Sequence, residues 1–343
     1  METKVWHMRD HISEQDLNEI KEQFEASELV VIPTETVYGL GGNACSDEAV
    51  KRIYEAKGRP SDNPLIVHIY SMTQLNDFVE EVSPEVRELM RAFWPGPISF
   101  ILPLKAGYLC ERVTGGLNSI AVRMPSHPVG RRILQYVNLP IAAPSANLSG
   151  RPSPTMFQHA FDDLNSRVAG IVNGDQSEEG LESTVLDCTT YPFQIARPGA
   201  VTKEMIEAVL PHSVEGKSGL KDGKPIAPGM KYKHYAPDTP VTVLTQLDGP
   251  LPNDKDWQHT AFVVPKSLQE WVPNNGHFIS LCDDEEDVKA ANHNLYRILH
   301  DLDTDDEITS AYIYGFTHQP KAEAYMNRLM KAANQEVVTG DEL

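Results

Sequence analysis

Residues Ile32 to Ile69 read IPTETVYGLGGNACSDEAVKRIYEAKGRPSDNPLIVHI and contain the signals that decide the fold. Apolar runs at Leu29 to Ile32 and at Leu65 to Ile69 predict two buried strands. Between them, Ser46 followed by two acidic residues is typical of a helix start, and Gly58 is typical of a helix end. The succession of strand, helix and strand predicts an α/β fold.

The same alternation extends along the chain to about residue 210. Helical patterns cover residues 13–24 and 84–93, and short apolar runs separated by proline and glycine follow them. These runs are Ile98 to Leu102, Ile120 to Val122, Ile141 to Ala143, Ile171 to Val172, Val185 to Leu186 and Gln194 to Ala196. They predict a twisted mixed sheet with helices packed on it, over residues 13–210.

A second, smaller α/β domain is predicted over residues 238–343. Apolar runs alternate there with helical patterns near Val288 to Leu299 and Ala322 to Ala332, which favours a parallel, Rossmann-like sheet; the runs are Val241 to Leu244, Ala261 to Val264, Phe278 to Leu281 and Ala311 to Tyr314. Residues 211–237 are rich in glycine, proline and lysine and have no apolar periodicity. We expect this basic segment to be a linker that forms a lid over an anionic ligand.

The charge of the chain is distributed unevenly. It has 343 residues with a formal charge of −19, so most of its surface repels polyanions and a nucleotide must meet a local basic site. The stretch from Leu89 to Phe161 has seven basic residues and the single acid Glu111. That local balance of +6 indicates an anion pocket, although buried strands that exclude acids are an alternative explanation.

The spacing of the cysteines and the hydropathy of the chain indicate the cellular compartment of the protein. The four cysteines are scattered without a C-x-x-C pair, which favours reduced thiols over disulfides or a structural zinc site. No apolar run approaches the ~20 residues of a membrane span, and no apolar leader follows the first charged residues. We therefore expect a cytoplasmic protein that does not bind membranes.

Common catalytic and nucleotide motifs are weak or missing. Gly39 to Ala44 fits the loose G-x-G-x-x-G/A pattern, but the polar run from Pro33 to Tyr38 separates it from the preceding strand. Lys217 and Ser218 lack the first glycine of a P-loop. Since G-x-S-x-G and H-E-x-x-H are also missing, the sequence favours a reaction in which the substrate supplies the nucleophile, such as phosphoryl or nucleotidyl transfer.

Polar residues at strand and loop ends nevertheless form a candidate site. Each has an ordinary structural explanation when taken alone, such as a turn former or a charge at a helix end. Lys57 and Arg59 flank Gly58, so that a point charge and a planar fork could contact neighbouring phosphate oxygens. The others are Thr34, Glu35, Thr36, Asn63, His68, Ser119, Arg123, Ser145, Asn147, Ser183, Thr184 and Arg197.

These residues lie in runs that resemble the YrdC-type threonylcarbamoyl-AMP synthases. The runs are Ile32 to Ile69, WPGPISFIL from Trp94, IAVRMPSHP from Ile120, APSANLSGRPSPT from Ala143, STVLD from Ser183 and RPGAV from Arg197. APGMKYKHYAP, from Ala227 to Pro237, followed by an α/β domain, resembles the long two-domain form of that enzyme.

The resemblance implies a nucleotidyltransferase that condenses L-threonine, bicarbonate and ATP to threonylcarbamoyl-AMP and pyrophosphate. This reaction is the first step in making N6-threonylcarbamoyladenosine (t6A) in tRNA. The resemblance also implies Mg²⁺ bound through the ATP phosphates with no metal held by side chains, a downstream threonylcarbamoyl-transferase complex as partner, and no stable nucleic-acid binding.

The resemblance assigns roles to individual residues. Lys57 and Arg59 are the implied catalytic residues. The implied threonine-binding residues are Thr36, His68, Arg123, Ala143 and Ser183. The implied ATP-binding residues are Lys57, Arg59, Asn63, Ser119, Ser145, Asn147, Ser153, Arg197, His234 and Tyr235.

Two functions of other classes remain open at this stage. One is a dinucleotide-dependent oxidoreductase built on the Gly39 loop, which nicotinamide or flavin absorbance of the purified protein would favour. The other is a non-catalytic RNA-binding module that uses the basic stretch, which the salt dependence of RNA binding would test.

Overall fold

The computed structural model describes residues 1–61, 63–217 and 234–343. The chain divides into two compact units. Among the described residues, unit 1 comprises 1–149 and 153–217, and unit 2 comprises 150–152 and 234–343. Most of the predicted linker, including Lys231, lies outside the described residues.

Unit 1 is built on one large mixed sheet. Its strands are β1 (Lys4–His7), β2 (Val30–Ile32), β3 (Gly39–Asn43), β4 (Ile66–His68), β5 (Ile98–Pro103), β6 (Ser119–Arg123), β7 (Ile141–Ala142), β8 (Gly170–Asn173), β9 (Thr184–Asp187), β10 (Phe193–Arg197) and β11 (Val214–Lys217). They form an 11-stranded sheet in the order β1-β8-β2-β3-β7-β4-β6-β5-β9-β10-β11. The sheet contains both parallel pairs, such as β4 and β6, and antiparallel pairs, such as β5 and β6. The predicted mixed sheet is confirmed, and β11 adds a strand inside the segment that the sequence predicts to be linker.

The helices of unit 1 cover both faces of this sheet with apolar side chains. They are α1 (Glu14–Glu25), α2 (Asp47–Lys57), α3 (Met72–Leu75), α4 (Pro84–Phe93), α5 (Pro128–Val137), α6 (Phe157–Leu164) and α7 (Lys203–Val209). On β2, Val31 packs in one apolar cluster, whereas Val30 and Ile32 pack in another. Successive strand residues point to opposite faces, so both faces of the sheet are buried. This burial explains why the strands are continuous apolar runs.

The glycine run that follows β2 is a strand and not a loop. Gly39–Asn43 pairs antiparallel with β2. A Cβ on Gly41 would lie 2.9 Å from the carbonyl oxygen of Val30, so the missing side chain lets the two backbones approach. These glycines therefore allow close packing of two strands. They do not form the phosphate-binding loop that a dinucleotide-dependent oxidoreductase would need.

Unit 2 is a small all-parallel α/β domain, as predicted. Its strands are β12 (Val241–Thr245), β13 (Thr260–Val264), β14 (His277–Ser280), β15 (Ser310–Tyr314) and β16 (Val337–Thr339), and its longer helices are α8 (Val288–Thr304) and α9 (Glu323–Ala332). The sheet order is β14-β13-β15-β12-β16. The sequence does not predict strand β16, because its apolar run is only two residues long and its residues are exposed or only partly buried.

Candidate functional site

One row of residues across the sheet of unit 1 forms the floor of the candidate site. His68 on β4 lies opposite Arg123 on β6, and Arg123 lies opposite Ser99 on β5. Residues directly opposite one another on neighbouring strands project from the same face. The three side chains therefore share one face, and all three are buried.

The turn that follows β2 contacts this row of residues. The Thr34 hydroxyl donates to the carbonyl of Val37 (2.5 Å) and accepts from the backbone N–H of Thr36 (3.2 Å). Arg123 reaches the same turn, because its Nη2 donates to the hydroxyl of Thr36 (3.0 Å). The turn and the sheet are thus joined by a buried guanidinium.

Glu35 balances the charge of that guanidinium. Its Oε1 accepts from Arg123 Nη1 at 2.5 Å, and its Oε2 accepts from the backbone N–H and the hydroxyl of Ser126 at 2.7 and 2.6 Å. Burial works to raise the pKa of this carboxyl, but Arg123 and Ser126 outweigh it and hold the pKa below its ordinary value. Glu35 is therefore an ionised, buried partner of Arg123.

His68 is a neutral imidazole in this environment. Burial and the positive charge of Arg123 lower its pKa to about 3, although the carbonyl of Ile66, 3.1 Å from Nδ1, works in the opposite direction. Because the charged form is disfavoured, His68 has one N–H donor and one acceptor nitrogen at neutral pH, with the Ile66 carbonyl placed to accept from Nδ1. It adds polarity to the site without adding charge.

Ser183 completes the cluster from the strand on the other side. Its hydroxyl lies 2.8 Å from the hydroxyl of Ser99 and 3.2 Å from Nη2 of Arg197. Arg197 also donates from Nε to the Ser183 carbonyl at 3.0 Å. Ala143 lies just past β7, and its N–H donates to Ile66 on β4 at 3.1 Å. The structure thus brings the residues predicted for threonine onto neighbouring strands and the turn between β2 and β3.

Lys57 lies at the end of α2, whose boundaries are set locally. The Ser46 side chain caps its start by accepting from Ala49 N–H, and Gly58 ends it at a φ of 65°, where a residue without a Cβ is favoured. The Lys57 ammonium donates to the carbonyls of Ser145 and Asn147, the latter at 2.7 Å. It is buried, and burial followed by the neighbouring Arg59 lowers its pKa well below the ordinary value. Lys57 therefore holds the loop after β7 in the described structure.

Arg59 and Asn63 lie in the turn beyond α2. Arg59 is buried and donates from Nη2 to the carbonyl of Pro64 at 2.8 Å. The carbonyl of Asn63 accepts from the hydroxyl of Tyr54 (2.7 Å), while no donor among the described residues reaches its buried side-chain Oδ1. Ser119 begins β6 and is also buried. Arg59 and Asn63 thus follow the end of α2, and Ser119 lies on the sheet.

The loop from Ala143 to Thr155 is divided between the two units. Ser145, Asn147 and Ser153 belong to unit 1, where Ser145 pairs with Gly39 in an isolated bridge. Residues 150–152 cluster with unit 2. The residues predicted for ATP thus contact Lys57 at Ser145 and Asn147 and contact the threonine cluster through Arg197.

His234 and Tyr235 are described only within unit 2. Their ring centroids are 5.2 Å apart, and the Tyr235 ring lies 5.6 Å from that of Tyr296. Tyr235 is buried and has a φ of 67°. Their predicted role at the nucleotide, like the lid itself, stays a prediction.

At least three other basic residues of the stretch from Leu89 to Phe161 lie outside this cluster. Arg112 is exposed and pairs with Asp47, and Arg151 pairs with Asp238 in unit 2. Lys105 is exposed and donates to Asn76. The local balance of +6 therefore does not form one anion pocket, and Arg123 is the basic side chain of this stretch that lies in the cluster described above.

The sequence did not assign roles to Glu35, Ser99 or Ser126. Glu35 stood among the polar candidates, and its signal is an acid between two threonines directly after a buried strand. Ser99 interrupts the apolar run of β5, which is a weak signal for a polar contact on one face. Ser126 contacts the site from a loop, where a serine is ordinary.

Within 1–61, 63–217 and 234–343, no group of three or more His, Cys, Asp or Glu side chains is arranged to hold a metal ion. In those same ranges, no helix has the length and apolar character to cross a bilayer.

The fold and the site together define an α/β protein with a buried cluster of polar side chains whose groups suit a small ligand that carries a carboxylate. A buried arginine with unused donors, hydroxyls and a neutral imidazole are groups that recognise such a ligand. Comparisons with known proteins define the family more closely.

The chain belongs to the Sua5, YciO and YrdC family. Residues 22–199 match the model of that family, which is described as "Telomere recombination". Residues 201–334 match the model described as "Threonylcarbamoyl-AMP synthase, C-terminal domain". Together the two matches confirm the long two-domain form.

Relatives match over nearly the whole chain. Threonylcarbamoyl-AMP synthase of Bacillus subtilis is 41% identical over 346 residues, covering 98% of this chain and 100% of the relative. The enzyme of the same name from Pyrococcus abyssi is 38% identical, covering 98% of this chain and 99% of the relative. The crystal structure of P. abyssi Sua5 complexed with L-threonine has a TM-score of 0.87 at 34% identity, covering 98% of this chain and 99% of that one.

Proposed function

We propose that this protein condenses L-threonine, bicarbonate and ATP to threonylcarbamoyl-AMP and pyrophosphate, as a nucleotidyltransferase. The names of the relatives and the threonine complex of the P. abyssi protein support the product and one substrate. The product would serve t6A formation in tRNA, with a threonylcarbamoyl-transferase complex acting next.

The contact between Arg197 and Ser183 carries the proposal. Arg197 belongs to the residues predicted for ATP, and Ser183 belongs to those predicted for threonine. Two donors of the guanidinium reach Ser183, one to its carbonyl at 3.0 Å and one to its hydroxyl at 3.2 Å. A contact that joins the two sets is what a reaction between threonine and the α-phosphate requires, because the reacting atoms must be held together.

The threonine cluster would orient the amino acid by its carboxylate and hydroxyl. Arg123 uses two of its guanidinium N–H groups on Glu35 and Thr36, and a guanidinium has about five such donors. The remaining donors can bind the carboxylate of threonine. The threonine amine then remains available to form a carbamate with bicarbonate, with loss of water.

The carbamate oxygen would attack the α-phosphorus of ATP, and the bond from that phosphorus to the bridging oxygen would break to release pyrophosphate. No side-chain nucleophile is needed. Lys57 and Arg59 would offset phosphate charge at the end of α2, together with a Mg²⁺ ion bound by the phosphates. Lys57 would in addition keep Ser145 and Asn147 in place through their carbonyls.

The reaction is tested by substrate omission. Protein incubated with ATP, Mg²⁺, bicarbonate and threonine should release pyrophosphate and form an adenylate, and each should depend on all three substrates. Pyrophosphate release that ignores bicarbonate would leave simple amino-acid activation. Arg123→Lys should lose most of the activity, whereas the matched control Arg112→Lys, at an exposed arginine, should keep it.

Threonine specificity gives a second test. A site that hydrogen-bonds a substrate hydroxyl rejects analogues that lack it far more strongly than those that lack one methyl group. Serine should therefore be a better substrate than 2-aminobutyrate. Equal use of threonine and 2-aminobutyrate would contradict hydroxyl recognition.

A further inference from the structure

We propose that Glu35 is a positioning residue that sets how strongly the site prefers a free carboxylate, by fixing the direction and the charge balance of Arg123. The proposal rests on the function proposed above for the substrate, but it makes a separate claim about a residue that contacts Arg123 and not the reacting atoms.

The backbone of Glu35 is held on both sides. The N–H of Glu179 donates to the Glu35 carbonyl at 2.8 Å, and the hydroxyl of Ser177 donates to the Thr34 carbonyl at 2.9 Å. Glu35 itself is only 4% exposed. Its side chain therefore starts from a fixed point and has little freedom to change its partners.

The carboxylate of Glu35 bridges two points on one segment. One oxygen accepts from Arg123 at the end of β6, and the other accepts two bonds from Ser126, three residues further on. A charged hydrogen bond on each oxygen fixes the plane of the carboxylate. The direction of the Arg123 guanidinium follows from that plane and from the second bond to Thr36.

The charge balance follows from the same contacts. Arg123 and Glu35 form an ion pair in which both side chains are almost fully buried. His68 on the neighbouring strand is neutral, so the cluster of these three side chains carries no net charge. At these three side chains, a ligand carboxylate would therefore meet the directed donors of Arg123 and not an unpaired positive charge.

Two substitutions at Glu35 separate the effect of side-chain length from the effect of side-chain charge. Glu35→Asp keeps the charge but is one methylene shorter, so it cannot reach both Arg123 and Ser126. Glu35→Gln keeps the length, but its amide nitrogen must face either the Ser126 N–H or the guanidinium, and both are donors. Each variant should misdirect Arg123, and misplacement of about 1 Å can cost on the order of 10²-fold.

The experiment measures binding of L-threonine and of L-threoninamide by calorimetry, together with pyrophosphate release. Threoninamide lacks the carboxylate, so its affinity should change little in either variant. Threonine binding should weaken by ~10- to 100-fold, with the rise seen in KM for threonine and little change in KM for ATP. Glu28→Gln is the matched control, because Glu28 pairs with Arg52 in the same unit at a partly exposed position.

The outcomes decide whether Glu35 positions Arg123 for a carboxylate or only stabilises the fold. Equal weakening of both ligands would show that Glu35 is merely structural and overturn the proposal, as would unchanged threonine binding in Glu35→Gln. If these variants do not fold, Ser126→Ala, which removes one hydroxyl bond to Glu35, should shift the preference in the same direction by a smaller factor, and an unchanged preference would overturn the proposal. Failure of the proposed reaction would show instead in the unaltered protein, as pyrophosphate release independent of threonine, while the binding comparison would still test Glu35.

Discussion

Acidification should destabilise unit 1 through His68. This histidine is buried on β4, and its pKa falls to about 3 because burial and Arg123 disfavour the imidazolium. In the unfolded chain its pKa is about 6.5. Since the folded pKa is lowered, the stabilising contribution is complete above pH 6.5 and is lost as the pH falls toward 3.

The size of this effect at pH 5 follows from the difference in proton binding. At that pH the unfolded histidine is almost fully protonated, while the folded one is almost fully neutral. The free energy of unfolding should therefore drop by about 2 kcal/mol between pH 7 and pH 5 on account of His68 alone, since each pH unit of such a difference is worth about 1.4 kcal/mol. The lowered pKa of Glu35 contributes only below pH 4.5, outside this window.

The assay compares the protein with His68→Gln at both pH values. Burial also lowers the pKa of His127, but both proteins contain His127, so the difference between them isolates His68. Hydrogen exchange read on peptides that cover β4 and β6, corrected for intrinsic rates, follows unit 1 without unit 2. His212→Gln, at an exposed position in unit 1, controls for the substitution. Equal loss of protection in the His68 variant and the unaltered protein would refute the reasoning.

Three further substitutions test other contacts. Lys57→Met strands the carbonyls that its ammonium now satisfies, so it should lower the free energy of unfolding by about 1–3 kcal/mol in urea denaturation as well as lowering turnover; unchanged stability would contradict the loop-holding role. Arg197→Lys keeps the charge but loses the two-donor contact to Ser183, so KM for threonine and KM for ATP should both rise, each by roughly tenfold, or about 1.4 kcal/mol. A rise in only one of the two KM values would contradict a link through Arg197 between the residues predicted for threonine and those predicted for ATP. Gly130→Ala places a Cβ 2.4 Å from the carbonyl of Pro33, and such overpacking should cost about 1–3 kcal/mol in thermal melting, an expectation that an unchanged Tm would contradict.

Local signals predicted the elements that depend on neighbours in sequence. Helix α2 illustrates this, because its cap at Ser46, its acidic first turn and its left-handed Gly58 all lie within a dozen residues of one another. Strands β2, β4 and β5 were predicted because both of their faces are buried and the runs are continuously apolar. Helix α5 was missed, since its start at Pro128 uses the His127 ring as the cap, which is an unusual signal.

The contacts between site residues that are far apart in the chain could not be predicted from the sequence. Glu35 and Arg123 are 88 residues apart, and their contact depends on the order of strands in the sheet. Local charge was also misleading, because it counts residues along the chain while a pocket collects them in space. Arg112 and Arg151, which raise the local charge, pair elsewhere with Asp47 and Asp238.

Arg123 and Lys57 are buried cations of unit 1 that differ in how their charge is balanced. This difference suits the two proposed substrates. Arg123 is neutralised by Glu35 before any ligand binds. Lys57 is bound by carbonyl dipoles and has no ion pair among the described residues, and Arg59 nearby further disfavours its charge. Threonine is a zwitterion without net charge, so a balanced arginine can recognise its carboxylate by direction. Asp163 and Glu182 favour the charged form of Lys57, but burial and Arg59 outweigh them and keep its pKa low. ATP is a polyanion that would further relieve this environment, and a buried cation without a paired carboxylate is a feature of binding sites more than of stable cores.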